Sequence, residues 1–332
     1  MTNNLSAQIE GDLIALLDDW FSLTEVWDNE LDRQIAQWYS NPPQVWPKRP
    51  YFSPSSLGDC PRELYIKAKY GNKAKDDGRD KPWRGRQRKL GTLGGDMIQR
   101  EMLAIERNYE KQTGNKPRFR FAKNADGTPV FEDFSKLNKP VEQDGERFYL
   151  YGATDGIMEY LTDDGEIIRV GLEVKSKQNT PARTSLHSMK APDSAHAKQI
   201  VAYAEMYDVD YFVILYINYA KKGWFMTDEE YKKTPDIRAF CAKVGPEHKR
   251  QVFSKAVEVT RAVRENKPPK LSLEDWTFNN FKEACANDLT EEEVEELRGQ
   301  VEQAKHSSLP RYRIANYVRA FDEIMELRKG SD

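Results

Sequence analysis

Residues 171–175 read Gly-Leu-Glu-Val-Lys and close an apolar-rich run that begins at Ile167. A short run of this kind predicts a β-strand. Because side chains alternate between the two faces of a strand, Glu173 and Lys175 must project from one face while Val174 points into the core. The sequence therefore predicts an acid and an amine side by side on one surface.

A turn signal precedes this strand. Residues 162–166 read Thr-Asp-Asp-Gly-Glu, and the Asp-Gly pair is a strong local signal for a hairpin. The run of residues 148–151, Phe-Tyr-Leu-Tyr, is predicted to be the antiparallel neighbour of the strand. Such a fold-back would bring Asp155 near Glu173.

Two carboxylates and a lysine at a strand end suit a hard divalent cation. Mg²⁺ and Mn²⁺ bind oxygen ligands, often one or two carboxylates together with waters and substrate phosphates. A metal so held activates water and stabilises the charge that builds on a phosphodiester during in-line displacement. We therefore predict that Asp155 and Glu173 bind the metal and that Lys175 orients or deprotonates the water, or neutralises the phosphate. A Glu-x-Lys triplet on a solvated strand is the alternative interpretation.

A helix predicted over residues 195–207 adds polar side chains to this set. Gln199 and Tyr203 lie four residues apart, so they share one helical face. His196 lies three residues before Gln199 on the same face. For His196 a general-base role, a DNA contact and a solvent-facing position all stay open.

Asp155, the triplet from Glu173 to Lys175 and the Gln-x-x-x-Tyr spacing together resemble the PD-(D/E)xK nuclease superfamily, specifically its RecB-like and Cas4-like branch. The resemblance covers about residues 50–220. It implies an α/β restriction-endonuclease-like core, with a central mixed sheet flanked by helices. It also implies a metal site completed by the Val174 carbonyl and the catalytic set Asp155, Glu173, Lys175, Gln199 and Tyr203, in which Gln199 and Tyr203 brace the lysine or the phosphate.

One position departs from the pattern of that branch. Its members commonly carry Gly-x-x-x-His in a helix before the sheet, where the histidine adds a metal ligand, whereas this chain has Gly95 followed by Gln99. A glutamine carbonyl oxygen binds Mg²⁺ or Mn²⁺ more weakly than the usual ligands. Gln99 is therefore predicted as a metal ligand, with Asp96 as the alternative if it faces inward, and manganese dependence is one expected result.

Residues 53–65 also resemble the opening segment of the branch, which carries Ser-x-Ser-x-Leu and then Cys-Pro-Arg. Pro61 suits the first turn of a helix that would display Arg62 and Tyr65 along one face, where we expect them to contact DNA.

The cysteine of that segment ligates an iron–sulfur cluster in part of the branch, where four thiolates are the usual requirement. Only Cys241 and Cys285 accompany Cys60 in this chain. No cluster is expected, and Cys60 is predicted to be a buried thiol.

Residues 72–90 are basic and poor in apolar residues, with Trp83 inserted. Two interpretations stay open: a solvated flexible loop, or a contact with the DNA backbone in which the indole stacks on an unpaired base. In the second interpretation, Arg79, Arg84, Arg86 and Arg88 of this segment contact the DNA backbone. Ser176 and Lys177, just after the catalytic strand, are likewise placed to touch phosphate or sugar.

The composition bounds the class of protein. Hydrophobic residues make up 39% and charged residues 32%, as in soluble globular proteins, and the net charge is −3. Nucleic-acid binding would therefore rely on local basic patches. Three dispersed cysteines favour a reducing, cytoplasmic setting. No signal-peptide pattern and no membrane-length apolar run is present, and the chain lacks the motifs of P-loop ATPases and of common zinc sites.

Three segments are expected from the pattern of prolines and periodicity: a helical extension over residues 1–44, the nuclease core over residues 45–270, and a second helical extension over residues 271–332. Inside them we predict helix over residues 5–40, 92–111 and 235–265, short strands or irregular edges at 117–122 and 129–134, and a buried strand at 211–219 paired with 224–226.

The expected function is that of a metal-dependent DNA exonuclease in recombination, repair or phage DNA metabolism. The resemblance implies Mg²⁺ or Mn²⁺ as cofactor, DNA as substrate, and a single-strand annealing or recombination protein as partner. Two alternatives stay open: a structure-specific DNA endonuclease of the same fold, and a nuclease-fold DNA-binding or assembly protein with weak catalysis, which the altered Gln99 position motivates.

Overall fold

The computed structural model describes residues 2–76, 81–276 and 279–329. Its helices are α1 (Thr2–Ser22), α2 (Asn29–Tyr39), α3 (Pro61–Tyr70), α4 (Pro82–Thr113), α5 (Glu132–Ser135), α6 (Ser194–Tyr207), α7 (Asp228–Lys233), α8 (Pro246–Glu265), α9 (Lys282–Asn287), α10 (Glu291–Lys305) and α11 (Arg311–Lys329). Its strands are β1 (Tyr51–Phe52), β2 (Phe119–Phe121), β3 (Leu137–Gln143), β4 (Glu146–Gly152), β5 (Gly156–Leu161), β6 (Ile167–Lys177), β7 (Tyr211–Asn218) and β8 (Ile237–Lys243). None of these helices combines the length and apolar character that crossing a membrane requires.

A five-stranded mixed sheet organises the fold in the order β2-β5-β6-β7-β8. Strands β6 and β7 are parallel, and their other neighbours pair antiparallel. Because two adjacent parallel strands need a crossover, helix α6 connects them, which confirms the predicted strand–helix–strand unit. The predicted fold class is also confirmed: a mixed α/β sheet flanked by helices, with helical segments at both ends of the chain.

Strand β7 is the buried centre of this sheet. Its residues from Phe212 to Asn218 are all buried, as expected for a strand covered on both faces. The ring of Phe212 occupies the space beside Gly171, where a Cβ atom would lie 2.1 Å from Phe212 Cε2. This close approach explains why a glycine opens the Gly-Leu-Glu-Val-Lys stretch.

Helix α4 is the longest helix in the described part of the chain, with 32 residues. Pro82 occupies its first turn, where a missing N–H costs nothing, and Gly114 ends it with a φ of 78°. Its buried face includes Ile98, Met102 and Ile105, which join the core beneath β6 and β7. The helix thereby carries residue 99 to the sheet.

Gly94 is a contact point between α4 and the end of β7. A Cβ atom at Gly94 would lie 1.8 Å from Tyr219 Oη, whereas a Cβ atom at Gly95 would have no neighbour within 4 Å. We expect Gly94→Ala to lower the free energy of unfolding by about 1–3 kcal/mol through overpacking. The matched Gly95→Ala should instead raise it by about 1 kcal/mol through helix propensity. Urea unfolding measures both, and equal effects of the two substitutions would contradict the packing.

Two predicted elements were wrong. Residues 5–40 form two helices, because Asp28 caps α2 by accepting a hydrogen bond from the N–H of Leu31 (2.9 Å) and so separates it from α1. The run at residues 148–151 lies in β4, which belongs to a three-stranded sheet of order β1-β4-β3. The antiparallel neighbour of β6 is β5, and the predicted turn at residues 162–166 joins these two strands.

Three further segment predictions need correction. The basic segment is helical from Pro82 onward, because α4 begins there and not at Thr92 as predicted. Arg79 lies outside the described residues. Residues 224–226 form no strand, because β8 pairs with β7 instead, and the helix predicted at 235–265 begins only at Pro246. Within 129–134, Pro129 makes an isolated bridge to Lys123, and α5 follows.

The chain divides into two compact units. The first contains residues 1–46, 80–139 and 151–249, and the second contains residues 47–79, 140–150 and 250–332. The three segments expected from the sequence have different bounds and remain a proposal. All four motifs of the predicted active site, including residue 99, fall in the first unit.

The second unit gives Arg62 and Tyr65 a structural role, which corrects their predicted contact with DNA. The Arg62 side chain is fully buried and forms ion pairs with Asp288 and Glu293, because its charge needs partners away from water. Tyr65 is also fully buried. Cys60 is a buried thiol as predicted, and its Sγ accepts a hydrogen bond from the N–H of Ser272 at 3.2 Å.

Glu63 makes the second unit sensitive to pH. Its Oε1 accepts the N–H of Asn280 at 3.1 Å, its Oε2 is buried without a partner, and burial raises the pKa of Glu63 to about 7. Between pH 4.5 and 7 the folded carboxyl therefore keeps a proton that the unfolded one loses, so the free energy of unfolding falls as the pH rises.

Glu63→Gln should remove this dependence while keeping the acceptor for Asn280. Relative to the wild type, the variant should gain about 3 kcal/mol in the free energy of unfolding between pH 4.5 and 7.5. Urea unfolding at a series of pH values measures the difference. A constant difference at every pH would contradict the buried, protonated state of Glu63.

Candidate active site

Strand β6 places the predicted acid and amine together. Glu173 and Lys175 lie on the face of the sheet that α6 covers, and Lys175 Nζ is 2.6 Å from Glu173 Oε1. Glu173 is only 4% exposed, whereas the side chain of Lys175 keeps 22% of its surface accessible. The carboxylate is thus held inside the protein, while the ammonium group reaches toward solvent.

Asp155 joins this pair from the position just before β5. The pairing of β5 with β6 ends at Gly156 and Leu172, so the edge of β6 is open beyond that point. Asp155 Oδ2 fills the opening by accepting the N–H of Val174 at 2.6 Å. Since the N–H and C=O of one strand residue point to the same edge, the Val174 carbonyl faces the same side as Asp155.

Helix α6 supplies the third part of the site through Gln199. The Gln199 side-chain carbonyl accepts a hydrogen bond from Lys175 Nζ at 2.9 Å, and its amide nitrogen donates to Glu173 Oε1 at 2.9 Å. A weaker contact of 3.4 Å joins the same nitrogen to the hydroxyl of Tyr203. The sequence-predicted side chains of Glu173, Lys175, Gln199 and Tyr203 therefore form one connected network.

Gln99 enters the site as a hydrogen-bond donor, and its predicted role as a metal ligand stays a proposal. Its amide nitrogen donates to Glu132 Oε1 at 3.0 Å and to the main-chain carbonyl of Asp155 at 2.9 Å. Both partners are acceptors, so the NH₂ group must be the end that faces them. Through these two hydrogen bonds Gln99 fixes the position of Glu132 and of the Asp155 backbone.

Glu132 is the site residue that sequence reasoning missed. It begins the short helix α5 with a φ of 45°, a conformation that is uncommon for a residue other than glycine. Its N–H donates a hydrogen bond to the carbonyl of Thr154 at 3.0 Å. Its carboxylate raises the pKa of both Asp155 and Glu173. No periodic pattern marks this position, so only the three-dimensional structure reveals it.

Asp96 does not replace the histidine of the family pattern. Its side chain is exposed, and it lines a cavity of about 360 Å³ together with Gln99 and Glu132. The negative charge of Asp96 adds to the rise in the pKa of Glu132, which burial dominates.

The electrostatics of the cluster favour a bound cation. Burial raises the pKa of Asp155 well above its ordinary value, and the neighbouring Glu173 carboxylate raises it further. Burial likewise raises the pKa of Glu173, against the opposing effect of Lys175. Crowded carboxylates with raised pKa values are typical of functional sites, because a cation bound between them would relieve the repulsion.

Two carboxylates and a carbonyl are donors that fit a hard divalent cation. In the part of the chain that the structure describes, no three His, Cys, Asp or Glu residues form a ready metal-binding group. Mg²⁺ commonly uses only one or two protein carboxylates, because waters and substrate phosphates complete its octahedron. Asp155, Glu173 and the Val174 carbonyl meet that smaller requirement.

His196 is held as a neutral ring. Its Nδ1 is 2.8 Å from the hydroxyl of Tyr216, which also accepts the N–H of Asp193 at 3.0 Å. One hydrogen bond therefore joins His196 Nδ1 to the Tyr216 hydroxyl, and the tautomer of the histidine sets its direction. Burial, with a further contribution from Lys175, lowers the pKa of His196 to about 4.

The predicted DNA-binding residues of the first unit lie in two places. Ser176 and Lys177 follow Lys175 on β6, with Lys177 Nζ 5.1 Å from the ring centre of Tyr216. Arg84, Arg86 and Arg88 are exposed on the first turns of α4. That helix passes close to β6, since a Cβ atom at Gly91 would lie 3.4 Å from Ser176 Oγ.

Comparison with known proteins finds similarity to solved structures and none to known sequences. No protein-family model matches the chain, and no curated protein does. The fold is similar to the crystal structure of SSO0001, with 12% identity, a TM-score of 0.41, and coverage of 78% of this chain and 96% of that one. It is also similar to two exonucleases. The alkaline exonuclease LHK-Exo from Laribacter hongkongensis has 11% identity and a TM-score of 0.34, with 65% of this chain and 91% of that chain covered. A phage-related exonuclease from Haemophilus somnus 129PT has 10% identity and a TM-score of 0.33, with 64% and 81% covered.

Proposed function

We propose that this protein is a metal-dependent nuclease that hydrolyses phosphodiester bonds of DNA, acting from DNA ends. The observation that carries the proposal is the convergence of Asp155, Glu173, Lys175 and Gln199 from three separate elements into one hydrogen-bonded cluster. A merely structural ion pair would not need the second buried carboxylate, whose presence costs stability.

The proposed cation is Mg²⁺ or Mn²⁺, held by Asp155, Glu173 and the Val174 carbonyl. When bound, it would supply Lewis-acid activation of water and stabilise charge on the phosphate. Asp155 is prepared for this task because its Oδ2 is fixed by the N–H of Val174. Glu132 adds negative charge to the same cluster and strengthens its attraction for a cation.

Lys175 is the proposed group that handles the proton or the phosphate charge. Its ammonium is held between Glu173 Oε1 (2.6 Å) and Gln199 Oε1 (2.9 Å), so its orientation is fixed before substrate arrives. A positioned ammonium can orient a water or donate to a phosphate oxygen, whereas only the neutral amine would accept the proton of that water. Gln199 and Tyr203 are positioning residues for this amine.

The proposed substrate contacts use basic side chains near the end of β6. Lys177, with Ser176, would bind phosphates beside the scissile bond, and the exposed Arg84, Arg86 and Arg88 would bind phosphates further away. A net charge of −3 makes such local patches necessary. The exonuclease mode and a recombination or annealing partner belong to this proposal as well.

End-labelled linear duplex DNA, beside a covalently closed circle, tests the proposed function. With Mg²⁺ or Mn²⁺ we expect loss of the linear DNA only, and no loss with EDTA. Cleavage of the circle would replace the exonuclease with an endonuclease. DNA binding without cleavage under any metal would favour a nuclease-fold binding protein and reject the catalytic proposal.

A further inference from the structure

Two adjacent aromatic side chains stand almost entirely in water. Trp224 is 98% exposed and Phe225 is 97% exposed, in the connection between β7 and α7, and we call this pair the aromatic tip. Single exposed apolar residues are common on protein surfaces, but a contiguous exposed pair indicates a binding surface. The proposed nuclease chemistry does not use the aromatic tip.

The aromatic tip is carried on an anchored base. The N–H of Tyr219 donates to the carbonyl of Lys177 at 2.9 Å, and the N–H of Ala220 donates to Asn218 Oδ1 at 3.0 Å. On the other side, Lys221 forms an ion pair with Asp236, and a capping box at Thr227 fixes the start of α7. Because both ends are held, the tip projects from a fixed place on the first unit.

That place is the end of the sheet where the candidate site lies. Strands β6 and β7 are parallel neighbours, with Lys175 opposite Tyr216 and Lys177 opposite Asn218. Trp224 is the fifth residue after Tyr219, which limits the distance between their Cα atoms to about 17 Å. The aromatic tip therefore lies within about 17 Å of Tyr219, whose N–H donates to the carbonyl of Lys177, two residues after Lys175.

The charge around this end of the sheet indicates which kind of molecule binds the aromatic tip. Residues 175–190 contain four basic residues and no acidic one, whereas at the base of the aromatic tip Lys221 and Lys222 form ion pairs with Asp236 and Glu230. Residues 81–95 contain five basic residues and no acidic one, although the whole chain has a net charge of −3. Basic segments interleaved with exposed aromatic rings are the features that bind single-stranded nucleic acid, through phosphates and stacked bases.

We propose that Trp224 and Phe225 stack on unpaired bases of a DNA strand whose backbone leads to the candidate active site. This inference rests on the proposed function, which assigns hydrolysis of the bound strand to the candidate active site. It adds the substrate class, namely DNA with a single-stranded end. A fully paired blunt end exposes only the outer face of its terminal base pair, because all its other bases are already stacked on one another. DNA with an unpaired tail should therefore bind more tightly than blunt DNA.

Binding of a fluorescein-labelled oligo(dT) to the full chain in EDTA tests this inference without any hydrolysis. The double variant Trp224→Ala, Phe225→Ala should bind the oligonucleotide at least about tenfold more weakly than the wild type, and should lose the preference for tailed over blunt duplex. Trp224→Phe should restore most of the affinity, because phenylalanine also stacks. Trp27→Ala, at an unrelated tryptophan that is 79% exposed, is the matched control and should bind as the wild type does.

Several outcomes would overturn the inference. The first is no measurable binding of the oligonucleotide by the wild type, and the second is equal affinity of the double variant and the wild type. The third is a wild type that sediments as a dimer and a double variant that sediments as a monomer but still binds DNA. The last result would make the tip an interface between copies of this chain. Tip-dependent binding by a protein that never cleaves DNA would reject the proposed function alone and leave this inference standing.

Discussion

Lys175→Met is expected to lower kcat for DNA hydrolysis by about 10²- to 10⁴-fold, the usual contribution of a positioned proton-transfer group. Methionine keeps most of the aliphatic stem of the lysine but removes the ammonium that contacts Glu173 and Gln199. Because the contacts proposed to bind the DNA backbone are those of Ser176, Lys177 and the arginines of α4, KM for DNA should change by less than about threefold. Single-turnover degradation of labelled linear DNA separates the two quantities.

The matched control for this substitution is Lys177→Met. Lys177 lies two residues further along the same face of β6 and is proposed to bind phosphate, so its loss should raise KM and weaken the salt dependence of binding while kcat persists. Circular dichroism should show both variants folded. A Lys175→Met enzyme that keeps more than a tenth of the wild-type kcat would exclude Lys175 from the reaction.

Asp155→Asn is expected to abolish detectable metal-dependent cleavage and to weaken Mn²⁺ binding by at least about tenfold. The asparagine carbonyl can still accept the N–H of Val174, so the local backbone should persist. Burial raises the pKa of Asp155, which means that its charged form is destabilised in the metal-free fold. The variant should therefore be at least as stable as the wild type without metal.

Calorimetric Mn²⁺ titration and thermal unfolding in EDTA measure these two effects of Asp155→Asn. Asp164→Asn is the control, because Asp164 lies in the exposed turn between β5 and β6. It should change neither metal binding nor activity. Unchanged Mn²⁺ affinity in Asp155→Asn, or a stability well below that of the wild type, would contradict the proposed metal site.

Local patterns were sufficient for the parts of the site that lie on regular elements. The period of two in β6 places Glu173 and Lys175 together, and the period of α6 brings Gln199 to both. These contacts follow from alternation and helical spacing, which a sequence displays directly. The turn at residues 162–166 was likewise readable because its Asp-Gly pair suits a hairpin.

Contacts between distant segments were not readable in the same way. Glu132 reaches the cluster because its backbone adopts a positive φ and because Gln99, from another helix, donates to it. The burial of Arg62 depends on Asp288 and Glu293, more than 200 residues away in the sequence. The exposed Trp224 and Phe225 looked like a strand because aromatic residues favour strands, yet β8 takes the place beside β7.

The measurement that tests the central claim most directly is the Mn²⁺-dependent cleavage rate of wild type and Glu173→Gln on the same labelled linear DNA. Glutamine keeps the size of the side chain and an acceptor for Lys175 and Gln199, but it removes the negative charge proposed to hold the metal. We predict metal-dependent cleavage by the wild type and none above the EDTA background by Glu173→Gln. Equal rates for the two proteins would place the activity outside this site.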